Sequence, residues 1–141
     1  MKYDERQKTI LVVEDNSALR ELLISCLQLA HYSYSVVEGD RSNPLAWIED
    51  NKCLLPDGII FDVDSRMVGF KGLLDFFHAF CTQWKAFSTS PQMPPLVLLT
   101  THPARYDELQ REGYAVIMKP FKVPVLLNTV KTVLREEKNM V

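Results

Sequence analysis

Five short apolar runs alternate with segments whose apolar residues recur at helical spacing, and this alternation limits the fold more than any other feature of the chain. The runs are TILVVED (9–15), YSYSVVE (32–38), GIIFDV (58–63), LVLLT (96–100) and AVIM (115–118). From Ser17, the positions Leu19, Leu22, Leu23, Cys26, Leu27 and Ala30 fall on one helical face. Asn43 and Pro44 read as the N-cap and first-turn proline of a second helix, over LAWIED. LLDFFHAFCTQW (73–84) is a strongly apolar third helix, YDELQRE (106–112) a short fourth closed by Gly113, and VPVLLNTVKTVLREE (123–137) an amphipathic fifth. Strands joined through helices pair in parallel, and a parallel sheet is covered on both faces. Its strands should therefore be continuously apolar, as these are. The expectation is one α/β domain: a doubly wound five-stranded parallel sheet with helices on both faces.

The length of 141 residues fits a single domain over 1–141, large enough to be stable without disulfides or structural metal. Sixteen basic and 18 acidic residues give a net charge of −2, without the basic excess of a general nucleic-acid binder. No apolar run reaches the roughly 18 residues of a membrane span, and the charged start MKYDERQKTI has no signal-peptide core, so the expected location is cytoplasmic and away from membranes. Cys26, Cys53 and Cys81 form no CxxC pair and read as reduced, buried thiols. His31, His78 and His102 have no zinc-ligand spacing. Phe76, Phe77 and Phe80 are expected in the core, with Phe70, Trp84 and Phe87 placed better for exposed contact.

In such folds ligands bind at the carboxyl ends of the strands. Those ends read Glu14 and Asp15, then Asp62 and Asp64, then Thr100 and Thr101, then Lys119. Two like charges ~4 Å apart repel by roughly 4 kcal/mol at an effective dielectric of 20, so gathered carboxylates call for protons or a cation. Magnesium takes carboxylate and carbonyl oxygens and often shares its shell with a phosphate. A lysine and a threonine hydroxyl opposite it would complete an anion clamp. The end of the sheet thus reads as a phosphoryl site, in which a carboxylate can itself be the nucleophile. No GxxxxGK[ST] or GxGxxG loop is present to cradle a nucleotide.

ILVVEDN, DGIIFDVDSRM, PPLVLLT and IMKPF, in this order, resemble the receiver domain of two-component response regulators over about residues 8–137. The resemblance implies a flavodoxin-like fold with strand order 2-1-3-4-5. It implies Asp62 as phospho-acceptor, Glu14 and Asp15 as the acidic pair, and Asp15 and Asp62 as ligands of magnesium (or manganese), with Glu14 acting mainly through water. Asp64 would offer the metal its backbone carbonyl, its side chain remaining as an extra charge at the rim. Thr100 matches the switch hydroxyl, Lys119 the lysine that pairs with acceptor and phosphate, and Lys119-Pro120 the peptide bond that is typically cis. The implied partners are a histidine kinase or histidine phosphotransfer protein and a downstream protein target or fused output domain. The implied activity is phosphoryl acceptance with at most slow self-dephosphorylation, rather than that of an enzyme.

IIFDVDSR is also similar to the first motif of haloacid-dehalogenase-like phosphatases, in which the second aspartate is a general acid. That family needs further acids after its lysine, and here only Glu136 and Glu137 follow, far along the last helix. Departures from the receiver pattern open a third reading, a receiver-like binding module that is not phosphorylated. Val116 stands where receivers usually carry a switch aromatic, and Arg66 where they commonly carry proline. Thr100 follows Asp62 by 38 positions (62 to 100), a long interval, and precedes Lys119 by 19 (100 to 119), a short one, so the fourth helix should be curtailed. Thr101 and His102 are expected to crowd or polarise the phosphoryl site.

Overall fold

The computed structural model describes residues 7–14, 16–38, 56–64, 79, 81–86 and 94–134. They contain β1 (Thr9–Glu14), α1 (Ser17–Leu29), β2 (Ser33–Glu38), β3 (Gly58–Asp62), a helical segment α2 (81–86), β4 (Leu96–Thr100), α3 (Pro103–Arg111), β5 (Ala115–Met118) and α4 (Val123–Val133). The strands form one parallel sheet in the order β2-β1-β3-β4-β5. This is the five-stranded order 2-1-3-4-5 expected above. The helix expected from Asn43, Cys53, Arg66, Phe70, Phe76, Phe77, His78, Phe80 and Phe87 lie outside the described residues.

Local chemistry sets the helix boundaries. The side chain of Asn16 caps α1 by accepting the Leu19 N–H at 2.8 Å, satisfying one of the free donors of the first turn. α3 begins at Pro103, earlier than the sequence pattern placed it, because proline is suited to a first turn that needs no N–H. The turn behind it is closed by Gly113 at φ 97°, a left-handed conformation that favours glycine. α3 is nine residues long and α4 eleven.

Alternate residues of the strands feed two cores. Leu11, Val13, Ile59, Phe61, Val63 and Leu98 pack with Trp84 of α2 and Leu109 of α3. On the other face Ile10, Val12, Ile60, Val97, Leu99 and Ile117 pack with Leu23, Cys26 and Leu27 of α1 and with Leu126 and Val130 of α4. Burying each such large side chain contributes roughly 1.5–3 kcal/mol, enough in sum to offset a polar, electrostatically costly end of the sheet. Two expectations change here. Trp84, expected at an exposed contact, is 2% exposed and belongs to the core, and Leu22, expected on the buried face of α1, is 45% exposed while Ile24 is buried. Cys26 is buried and Cys81 half-buried, both as free thiols. Gly58 opens β3 under the last helix, where a Cβ would meet Leu134 Cδ2 at 3.1 Å and Ile10 Cδ1 at 3.4 Å. No helix among the described residues is long and apolar enough to cross a membrane.

Candidate functional site

Strand register assembles the polar end of the sheet. Val13 pairs with Phe61, so the residues that follow, Glu14 and Asp62, end adjacent strands side by side. Asp62 pairs with Leu99 and Thr100 with Met118, which brings Thr100 and Lys119 to the same end. The Lys119 N–H donates to the Thr100 carbonyl at 2.8 Å, tying the last turns of β4 and β5 together, and the Lys119-Pro120 peptide bond is cis, as the resemblance implied. Glu14, Asp62 and Thr100 are the buried polar side chains among the described residues.

Asp62 is held from two sides. The Lys119 ammonium donates to Oδ2 at 2.6 Å, and the Asp64 backbone N–H donates to Oδ1 at 2.8 Å. Both side chains are shielded, at 15% and 3% exposure for Lys119 and Asp62, so this ion pair is little weakened by solvent. Glu14 is less well provided. Its Oε2 accepts the Asn16 N–H at 2.8 Å, while Oε1 is buried without a hydrogen-bond partner. Burial first, then the adjoining Asp62 carboxylate, pushes Glu14 up to about 9, against the smaller pull of the Asn16 N–H and Lys119. The Glu14 carbonyl takes a further bond from Arg20 Nη1 at 3.1 Å.

Asp64 has the opposite surroundings. Its Oδ1 accepts the Thr100 hydroxyl at 2.8 Å and Arg105 Nη1 at 2.9 Å, and its Oδ2 accepts the Thr101 N–H at 2.5 Å and the Thr101 hydroxyl at 3.0 Å. Lys119 Nζ stands 3.7 Å from Oδ2. Burial alone would raise the Asp64 carboxyl, but the Thr101 N–H, the Thr100 and Thr101 hydroxyls and the Lys119 charge outweigh it and hold the group below its ordinary value. The side chain, expected as an extra charge at the rim, is 12% exposed and bonded at both oxygens. What its main chain gives Asp62 is a hydrogen-bond donor. Thr100, which the resemblance made the switch hydroxyl, here donates its hydroxyl to Asp64 and not to Asp62. Strand alternation explains this, because Thr100 follows the pleat of Leu98 on one face of the sheet whereas Asp62 follows that of Ile60 on the other. Thr101 likewise closes on Asp64, and His102 remains largely exposed, its Nε2 4.0 Å from Asp64 Oδ1.

Of the residues expected at the site, Glu14, Asp62 and Lys119 converge, Thr100 and Asp64 pair with each other beside them, and Asp15 lies outside the described residues. Among the described residues no three His, Cys, Asp or Glu side chains gather as a metal-binding group. The acidic corner nonetheless suits a hard cation, since a buried carboxylate oxygen without a partner beside a second carboxylate is an oxygen donor set lacking its positive charge. Sequence reasoning missed Arg105, which also donates to the Val63 carbonyl at 3.3 Å. It stands in a polar helix 41 positions from its carboxylate partner, and no local pattern marks that contact.

No protein-family model matches the chain, and no curated protein does. Solved structures do. The chemotaxis protein CheY4 of Vibrio cholerae is 25% identical with a TM-score of 0.63, over 91% of this chain and 99% of that one. The receiver domain of NtrX from Brucella abortus is 23% identical with a TM-score of 0.66, over 89% and 98%. The receiver domain of the sensor histidine kinase PA1611 from Pseudomonas aeruginosa PAO1 is 17% identical with a TM-score of 0.69, over 92% and 98%, and that protein holds a magnesium ion in its active-site cleft. The five parallel strands, their order and the helices on both faces are shared with these proteins, and the fold of this chain is that of the response-regulator receiver domains.

Proposed function

We propose that the chain is a phosphorylation-dependent receiver in two-component signalling, with Asp62 as the phosphoryl acceptor. The observation that carries this reading is the shielded contact of 2.6 Å between Lys119 and Asp62, at the carboxyl end of the sheet and beside the under-satisfied Glu14. A carboxylate so placed can attack the phosphorus of a phosphohistidine presented by a histidine kinase or phosphotransfer protein. The new bond joins an Asp62 oxygen to phosphorus, the phosphorus–nitrogen bond breaks, and the imidazole leaves with the electron pair. Lys119 neutralises charge on the carboxylate and on the incoming phosphoryl oxygens, and the Asp64 N–H keeps the acceptor oriented. Glu14 and Asp62, with Asp15 by resemblance, would hold magnesium or manganese. When bound, that ion would supply the positive charge the acidic corner lacks and neutralise phosphoryl oxygens. Signal output then passes to a downstream protein or a fused output domain.

The arrangement of Asp64 weighs against the phosphatase reading. A general acid must carry a proton at neutral pH, and Asp64 is held ionised by four hydrogen bonds. The binding-module reading draws on one observation, the engagement of Thr100 with Asp64 rather than with the acceptor. Incubation with acetyl phosphate and magnesium, followed by intact-mass measurement, separates the two. A single phosphoryl adduct is expected, absent in Asp62→Asn. No adduct at saturating donor would leave the binding module as the better description.

A further inference from the structure

The donors that converge on Asp64 are those of an oxyanion site. Two hydroxyls, one backbone N–H and a guanidinium bond directly to its two oxygens, and an ammonium stands close by. All belong to β4, to the loop and helix that follow it, or to Lys119. Lys119 is shared, at 2.6 Å from Asp62 and 3.7 Å from Asp64. The anion seated among these donors is therefore one ammonium group away from the acceptor. Thr100 is fully buried, and its oxygen also accepts the His102 N–H at 3.1 Å, so its hydroxyl hydrogen is committed to Asp64 and the loop is folded around that bond. A phosphoryl group on Asp62 would bring about 1.5–2 negative charges into reach of the same lysine and hydroxyl. The single hydroxyl hydrogen of Thr100 cannot serve both anions, and the more highly charged phosphoryl group draws the ammonium away from a carboxylate 3.7 Å distant.

We propose that the Asp64 carboxylate is a resident stand-in for the phosphoryl group. It keeps the loop after β4 closed in the unmodified chain, and phosphorylation is an exchange in which phosphoryl oxygens displace Asp64 from Thr100 and Lys119. The exchange rests on the reading of Asp62 as acceptor, whereas the latch formed by Asp64 does not. Displacement leaves Asp64 and Arg105 as a freed pair at the start of α3, so the signal is the release of a contact on that helix rather than the gain of order in the loop.

The test is amide hydrogen exchange on the full chain, wild type, Asp64→Ala and Arg105→Ala, with and without beryllofluoride and magnesium. Asp64→Ala should speed exchange of the Thr101 and His102 amides by about tenfold, and Arg105→Ala by about threefold, as expected for losing charge-assisted hydrogen bonds. Beryllofluoride should restore protection in Asp64→Ala and add none in the wild type. The proposal is overturned if Asp64→Ala, folded by circular dichroism, exchanges within about twofold of wild type, or if beryllofluoride protects the wild-type loop as strongly as it protects the variant. Should Asp64→Ala not fold, Thr101→Val combined with Arg105→Ala removes two of the four bonds to Asp64 and must still exchange faster than wild type. Fluorine NMR reports bound beryllofluoride separately. Faster exchange in Asp64→Ala with no bound signal in any protein would uphold the latch and overturn both the exchange and the acceptor reading.

Discussion

Among the described residues Asp62 receives two hydrogen bonds, from Lys119 and from the Asp64 amide, whereas Asp64 receives four, from Thr100, from both donors of Thr101 and from Arg105. One residue separates them in the chain, yet one faces an acidic neighbour that burial has pushed up to about 9 and the other is held below its ordinary value. Both carboxylates are largely withdrawn from water, so burial does not distinguish them. Donor supply does. A buried polar group with spare acceptor capacity gains most from a new cation or covalent bond, whereas a saturated one gains nothing and holds its neighbours in place. On the proposed function, chemistry falls to the first and architecture to the second.

The largest effect that could break this contrast is at Lys119. Lys119→Met should slow phosphorylation by acetyl phosphate by about 100-fold, the scale of losing one preorganised charge partner. A rate within threefold of wild type, from the time course of adduct formation, would remove the lysine from the chemistry. Next comes Asp64→Ala, which strands a guanidinium, two hydroxyls and an N–H, and should lower unfolding stability by about 2 kcal/mol in urea titration. A neutral result would mean that the four bonds contribute nothing net.

The acidic corner supplies a test with a sign. The folded value of Glu14, about 9, lies above its ordinary 4.5, so between those values the folded chain holds a proton that the unfolded chain has released. Its contribution is therefore complete below the ordinary value and is lost as pH rises towards the folded one. In a chelator, thermal stability should fall between about pH 5 and pH 9 beyond what Glu14→Gln shows, and excess magnesium should flatten the fall. Identical profiles for wild type and Glu14→Gln would sink the idea. The smallest effect should be Thr101→Val, about 1 kcal/mol of stability for one hydroxyl, with the phosphorylation rate unchanged. A large rate loss there would blur the division between the two aspartates.

Much of this was legible in the chain itself. LVLLT and AVIM coincide with β4 and β5 to the residue, because fully covered parallel strands must be continuously apolar. Reading the strand ends was enough to gather Glu14, Asp62, Thr100 and Lys119. Side-chain pairing across the loops was not legible. That Thr100 turns to Asp64 depends on pleat direction and on how the loop after β4 folds back, and Arg105 joins them only in three dimensions. Trp84 misled for a related reason. A tryptophan near a helix end has no local signature separating an exposed ring from one laid over Phe61 and Leu98.

At the end of the sheet opposite the acids, a Cβ added at Gly58 would come within 3.1 Å of Leu134 Cδ2, so the leucine would have to give way for it. The strand that delivers Asp62 is thus seated at its other end by Leu134, the residue that caps α4. Variation there would be penalised through fit, whereas variation around Asp62 would, on the proposed function, be penalised through reactivity. A lineage of such proteins could therefore change the residues around Asp62 and keep Gly58 unchanged, so an unvarying glycine at this position would testify to the intact fold and say nothing of whether the aspartate accepts a phosphoryl group.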